Sequence, residues 1–325
     1  MKAVWYTKNG SPEDTLILGD IAIPEPSAGE VRVKLLTSGV NPSDVKSRIA
    51  RPLNAPFIIP HSDGAGIIDK VGDSVDSSRV GERVWIWNAQ WGRSHGSACE
   101  YIVLKEEQAV GLPSTTTFEE GACLGIPLLT AVQAINLCQD LKDKTVLVTG
   151  AASSVGHYAA QLAVQAGARV FGTVGSKEKA LHAVTAGVEE CIYYKTESVP
   201  ERIKALTNGQ GVDIIIDMDF SGTSQWLSKG VLRSHGMIVC YGSNIPGDIN
   251  INFRPLLFGS ITCKFFLVYD LTHAERIKSI QHVNYLLEKK LITHTIAKEY
   301  PLSEIISAHQ AVEKGQYMGN VVMII

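Results

Sequence analysis

Thr145-Val146-Leu147-Val148-Thr149-Gly150-Ala151-Ala152-Ser153-Ser154-Val155-Gly156 is the stretch that decides the fold. Its first five residues are β-branched or apolar and make a strand. A run of small residues makes a tight turn, and from Val155 to Ala166 apolar residues recur at three and four, the spacing of a helix. Strand, turn and helix in that order aim free backbone N–H groups and the positive helix end at a phosphate. Against the G-x-G-x-x-G pattern only the last glycine, Gly156, stands, because Ala151 and Ser153 occupy the first two positions. By itself the turn fits ordinary strand-to-helix packing as well as it fits a dinucleotide turn. The hydroxyls of Ser153 and Ser154 are further donors to a phosphate.

Downstream the alternation continues, and this favours the cofactor reading. Strands are expected at Arg169 to Val174, Cys191 to Tyr193, Val212 to Asp217 and Met237 to Tyr241, with helices near Pro200 to Leu206 and Gln225 to Leu232. Short runs of Val, Ile and Leu between helices read as a parallel sheet covered on both faces, a doubly wound α/β domain. Then follow a strand near Ile261 to Phe266, an amphipathic helix from His273 to Glu288 and a terminal strand Val321 to Ile325, which returns to the first domain.

Upstream the pattern is β-rich. Segments at Lys2 to Tyr6, Glu30 to Ser38, Gly64 to Val71, Arg83 to Trp87 and Ala98 to Val103 alternate with Pro, Gly, Asn and Asp, so this part reads as an all-β, barrel-like domain. Thr117-Phe118-Glu119-Glu120 is a helix-start signature, and the helix it opens is interrupted near Pro127.

With 325 residues, 45% hydrophobic and 19% charged, the chain supports about two globular domains. A net charge of -3 gives no overall basic field for nucleic acid. Six dispersed cysteines and nine histidines show neither CxxC nor HExxH spacing, so neither a disulfide framework nor a structural zinc lobe is expected. No apolar run reaches the roughly 18 residues that span a bilayer, and the amino terminus shows no leader-like segment, so a cytoplasmic chain is expected.

Cofactor choice turns on the end of the second strand. No acid stands at Val174 to bind a ribose 2′-hydroxyl, whereas Ser176, Lys177 and Lys179 offer donors and positive charge to a 2′-phosphate. NADPH is expected over NADH.

Several blocks in order resemble the medium-chain dehydrogenase/reductase superfamily, and within it the zinc-free quinone oxidoreductases of the zeta-crystallin branch. They are Gly39-Val40-Asn41-Pro42-Ser43-Asp44, Ser62-Asp63-Gly64-Ala65-Gly66, Gly81-Glu82-Arg83-Val84, Ala98-Cys99-Glu100-Tyr101, Gly125-Ile126-Pro127-Leu128-Leu129-Thr130-Ala131 and Gly242-Ser243. The resemblance implies a GroES-like β-rich catalytic domain (1–124 with 267–325) and a doubly wound parallel-sheet Rossmann domain (125–266). Nicotinamide and substrate are expected in the cleft between them. It implies NADPH-dependent reduction of quinones, with α,β-unsaturated ketones or aldehydes as the alternative. A non-catalytic structural or RNA-binding role is the alternative of a different class. A homodimer or homotetramer is expected.

Zinc-dependent cousins carry Cys where this chain has Asn41 and His where it has Ser62, so no metal is expected. Asn41, Lys46 and Thr130 take the catalytic positions. The resemblance places Ala152, Ser153, Ser154, Val155, Gly156, Gly175, Ser176, Lys179, Tyr194, Ser221, Gly242, Ser243, Phe265, Phe266, Leu267 and Asn320 at the cofactor. Two positions depart from the family. Lys46 replaces a pocket tyrosine, and its ammonium either pairs with an anion or snorkels to solvent. Asn320 replaces a lysine after Gly319. Trp87 and Trp91 offer an aromatic wall to a flat acceptor, and read equally well as structural aromatics.

Overall fold

The computed structural model describes all 325 residues and resolves them into two compact units, 1–128 with 287–325, and 129–286. No helix is long and apolar enough to cross a membrane.

In the first unit, strands β1 (Lys2–Trp5) and β2 (Ile17–Asp20) form a small antiparallel sheet. A larger sheet is built on β3 (Glu30–Val40), β4 (Gly64–Val71), β5 (Arg83–Ile86), β6 (Tyr101–Lys105) and β7 (Ala109–Gly111). The eleven-residue β3 is its backbone. One edge pairs with β4, while the other pairs with β6 over Glu30 to Lys34 and with the carboxyl-terminal strand over Thr37 to Val40. Alternate residues of β3, Val31, Val33 and Leu35, enter a core with Ile68, Val84, Ile86, Ile102 and Leu104.

The second unit holds β8 (Thr145–Val148), β9 (Arg169–Val174), β10 (Glu190–Tyr193), β11 (Val212–Asp217), β12 (Leu232–Cys240) and β13 (Thr262–Phe265). Every pairing is parallel, and the order across the sheet is β10-β9-β8-β11-β12-β13. Numbered from β8 this is 3-2-1-4-5-6, the doubly wound order, which reverses direction between β8 and β11. All six residues of β11 are buried, as expected of a strand covered on both faces. The helices Ser154–Gln165 and Lys177–Thr185 each end on a glycine in the left-handed region, Gly167 (φ 85°) and Gly187 (φ 87°).

The chain then re-enters the first unit through β14 (Ile296–Pro301) and β15 (Asn320–Ile324), the latter antiparallel to β3. This is the expected return of the tail.

Several boundaries differ from the sequence reading. The helix expected at Gln225 to Leu232 lies at Phe220–Leu227, because Gly230 (φ 73°) reverses the chain and Leu232 already pairs with Val212 in the sheet. The strand expected from Ala98 begins at Tyr101, since the amides of Gly96, Ser97 and Ala98 are bound to carbonyls of Ile59, His61 and Pro60. The first unit is not wholly β: it contains the helices Pro42–Ala50 and Ile305–Glu313. The second boundary, read at 266/267, falls at 286/287. The helix His273–Glu288 is tied to the helix Leu129–Leu137 by Gln133 to Glu275 (3.1 Å) and Ser279 to Gln133 (3.1 Å). The interruption near Pro127 is a π-helical turn, Leu124–Leu128, closed by Leu128 N–H on Cys123 O.

Candidate active site

In a parallel sheet every strand points its carboxyl end the same way, so the residues following β8 to β13 share one edge. The sequence-derived cofactor positions of the second unit fall there: 152–156 after β8, 175–179 after β9, Tyr194 after β10, Ser221 after β11, Gly242 and Ser243 after β12, and Phe265 to Leu267 at the end of β13.

The turn after β8 is built for close approach. Gly150 adopts φ 62°, and its N–H donates to Thr173 Oγ1 (2.9 Å). A side chain at Gly156 would run into Gly150 O, so glycine there lets the helix sit against the strand end. Ser153 is the helix N-cap, its Oγ accepting from Gly156 N–H at 3.1 Å. The amides of Ala152 and Val155 find no partner within the chain, an orphaned pair at a helix N-terminus that fits a pyrophosphate. Asp217 holds the turn from below, accepting from Thr149 Oγ1 (2.8 Å) and Thr223 Oγ1 (2.7 Å).

A second cluster surrounds Gly175. A Cβ there would meet the Tyr194 hydroxyl at 3.0 Å and Lys195 Cε at 3.4 Å. Ser176 caps the helix Lys177–Thr185 and accepts from Lys179 N–H (3.3 Å). Sequence reasoning missed Lys195, although a basic residue directly after a strand end was the available signal. It also gave no weight to Glu178, whose carboxyl is held below its usual range chiefly by a hydrogen bond from Ser176. An acid therefore does stand beside the residues chosen for a 2′-phosphate.

Elsewhere on this edge, Ser221 donates to Asp219 and Ser243 to Ile245 O (2.9 Å). Gly242 lies against Met218 O, where a Cβ would come within 2.6 Å. Phe265 stands edge-on to Phe220 at 4.9 Å and is 60% exposed. Phe266 packs near Tyr241, whose hydroxyl is buried without a partner. Leu267 is exposed, and Thr130 is buried in the helix Leu129–Leu137.

Asn41 and Asn320 lie in the first unit. Asn41 precedes the helix Pro42–Ala50; its N–H donates to Asp44 Oδ2 (2.8 Å), and its Nδ2 donates to Asp63 Oδ1 (2.9 Å). Asp63 also accepts from Ile126 N–H (3.1 Å). Burial drives the Asp63 carboxyl well above its usual range, aided by Asp44, and raises Asp44 to about 7. One N–H of Asn41 is thus committed and its amide oriented. A side chain at Gly39 would strike Asp63 Oδ1, so glycine is required behind it. Asn320 is buried and its Nδ2 donates to Thr295 O at 3.1 Å, so its amide is occupied in the sheet. Lys46 is exposed on its helix. Of the two tryptophans, Trp87 donates to Glu107 O (3.2 Å), and Trp91 lines a cavity with Tyr6 and Arg51.

A doubly wound sheet with this edge, joined in one chain to a β-rich unit, is the fold of the medium-chain dehydrogenase/reductase superfamily. Residues 27–114 match the alcohol dehydrogenase GroES-like domain, and residues 154–284 match the zinc-binding dehydrogenase domain. Quinone oxidoreductase of Mus musculus is 30% identical, covering 97% of this chain and 95% of its own. The chain belongs to the quinone oxidoreductase family. Among solved structures, an NAD-dependent alcohol dehydrogenase (25% identical, TM-score 0.89) and a mycobacterial protein complexed with NADPH (25%, TM-score 0.88) each align over 100% of both chains. No three His, Cys, Asp or Glu side chains are grouped to hold a metal ion.

Proposed function

We propose that this protein reduces quinones with NADPH and without a metal. The observation that carries the reading is the shared carboxyl edge of the 3-2-1-4-5-6 sheet, with two unpartnered amides in a turn that excludes a side chain at Gly156. The residues fit a dinucleotide: the Ala152 and Val155 amides for pyrophosphate, and Ser176, Lys179, Tyr194 and Lys195 for a 2′-phosphate. The mycobacterial NADPH complex and the NAD-dependent alcohol dehydrogenase both support a nicotinamide cofactor, and the choice of NADPH rests on the side chains after β9 and β10. Glu178 limits it, so the preference rests on the two lysines outweighing one carboxylate.

When bound, the nicotinamide supplies the hydride. The chain's own part is placement. Asn41, its amide held by Asp63, donates its remaining N–H to the acceptor oxygen, and Thr130 supports the cofactor. Charge arriving on a quinone spreads into the ring, so such a neutral donor suffices where an isolated ketone calls for a metal. Neither Asn41 nor Ser62 offers the thiolate or imidazole that would bind zinc.

A homodimer is part of the proposal, supported by the unpaired outer edge of β13 and the exposed Phe253, Phe258 and Phe265. Six free cysteines, four of them buried besides Cys191 and Cys263, support a reducing, cytoplasmic setting.

The test is NADPH oxidation with 1,4-benzoquinone against oxidation with a small enone, on protein checked for metal by elemental analysis. Turnover of quinone by metal-free protein supports the proposal; turnover of the enone alone, or only with stoichiometric zinc, overturns it.

A further inference from the structure

The first unit carries a cavity that the proposed chemistry does not use. It measures about 340 Å³, and Tyr6, Arg51, Leu53, Asn54, Ile58 and Trp91 are among the residues that line it. Arg51 follows the carboxyl end of the helix Pro42–Ala50, and Asn41 precedes its amino end. Nine helical residues, about 13 Å, separate the two.

Tyr6 is 3% exposed, and its backbone is fixed by an exchange of hydrogen bonds with Ile58. Its hydroxyl makes no hydrogen bond within the chain. Burial, reinforced by Asp44, pushes that phenol up to about 12, so it stays a donor. Tyr6 lines the cavity, where its hydroxyl is a donor for a ligand's acceptor.

Arg51, an exposed residue, supplies a second donor to the cavity. Its guanidinium lies over the Trp91 ring, 5.0 Å from the centroid, and forms no ion pair. The contrast is Arg48, three residues earlier, which is fully buried and bound to Glu313 at 2.9 Å. A cation stacked on an indole keeps its N–H edge directed outward, the geometry that receives a carboxylate in a bidentate pair. None of the residues lining the cavity is an acid; the carboxyl within electrostatic reach of Tyr6 and Arg51 is the buried Asp44, which burial raises to about 7. Leu53, Ile58 and Pro52 supply apolar wall, and Trp91 supplies a flat one.

We infer that this cavity is a binding site for a planar aromatic carboxylate, whose anionic group meets Arg51 and Tyr6 and whose ring lies against Trp91. It requires no dinucleotide, so its failure leaves the proposed reductase reading untouched.

The experiment is calorimetric titration of the full chain with 2-naphthoate, with 2-naphthamide as the uncharged counterpart. Saturable binding of naphthoate is expected, weakened about tenfold or more by Arg51→Gln and several-fold by Tyr6→Phe. The amide is expected to bind more weakly than the acid. Tyr6→Phe removes only an unpartnered hydroxyl, so its melting temperature and NADPH affinity should equal those of the parent and exclude misfolding. The inference is overturned by any of three results: no saturation up to about 10 mM, equal binding of acid and amide, or naphthoate affinity unchanged in Arg51→Gln.

Discussion

The Nε2 atoms of His61 and His309 lie 2.9 Å apart, with both rings sealed from solvent in the first unit. At that separation one nitrogen donates and the other accepts, so the pair is neutral. Burial lowers His61 to about 3 and His309 well below its ordinary range, where the cost of a second positive charge beside His61 and the nearby Arg48 add to the effect. Ser38 Oγ, 2.9 Å from His61 Nδ1, extends the chain to Ser97. The pair couples the helix Ile305–Glu313 to the segment before β4.

An imidazole whose folded value is depressed contributes stability that is full above its unfolded value of about 6.5 and is lost as pH falls. The raised carboxyls of Asp44 and Asp63 work in the opposite sense over the same window, so the pair is read by difference. Relative to His309→Gln, the parent should lose stability as pH falls below about 6.5, by up to about 1.4 kcal/mol per pH unit. Urea unfolding at several pH values checks this; a pH-independent difference contradicts it.

Asp63 fixes the Asn41 amide. Asn41→Ala is expected to lower kcat/KM for 1,4-benzoquinone about tenfold, ~1.4 kcal/mol of barrier, with NADPH affinity unchanged. Asp63→Asn keeps an acceptor for Asn41 and should be milder than Asp63→Ala. Stopped-flow rates and NADPH titration separate placement of the acceptor from loss of cofactor.

Gly156→Ala forces a methyl group toward Gly150 O, and backbone cannot yield as a flexible side chain does. A stability loss of about 1–3 kcal/mol is expected, with NADPH binding weakened more than tenfold by the displaced turn. Thermal melts and fluorescence titration report the two effects.

Lys195→Ala and Lys179→Ala should each weaken NADPH about tenfold while leaving NADH nearly unchanged. Glu178→Gln should tighten NADPH. Equal changes for both cofactors would remove the 2′-phosphate assignment.

Phe258 is 73% exposed on the helix Phe253–Phe258, which precedes the edge strand β13 in the chain. Phe258→Asp is expected to shift sedimentation from dimer toward monomer and leave the intrinsic fold intact. A parent chain that already sediments as a monomer would refute the dimer.

Much of the second unit was legible because its signals are local. A buried parallel strand is a run of β-branched residues, and the turn after β8 is contiguous in sequence. The first unit was less so. The helix Pro42–Ala50 begins at Asn41-Pro42, a pair that reads as a turn, and its capping acid Asp44 shows its purpose only once the Asn41 N–H is seen on it. Asp63 stands 22 residues from Asn41 and His309 stands 248 from His61, so neither pairing leaves a trace in spacing. Glu178 was visible in the sequence, but its relevance depends on the Ser176 hydroxyl turning toward it.

Ser153 closes the first turn of its own helix, and this bears on kinetics. A loop already frozen by its own hydroxyl surrenders little freedom when a dinucleotide arrives. Association then proceeds at a rate governed by encounter, and the lifetime of the complex, more than the speed of its formation, separates a good reductant from a poor one.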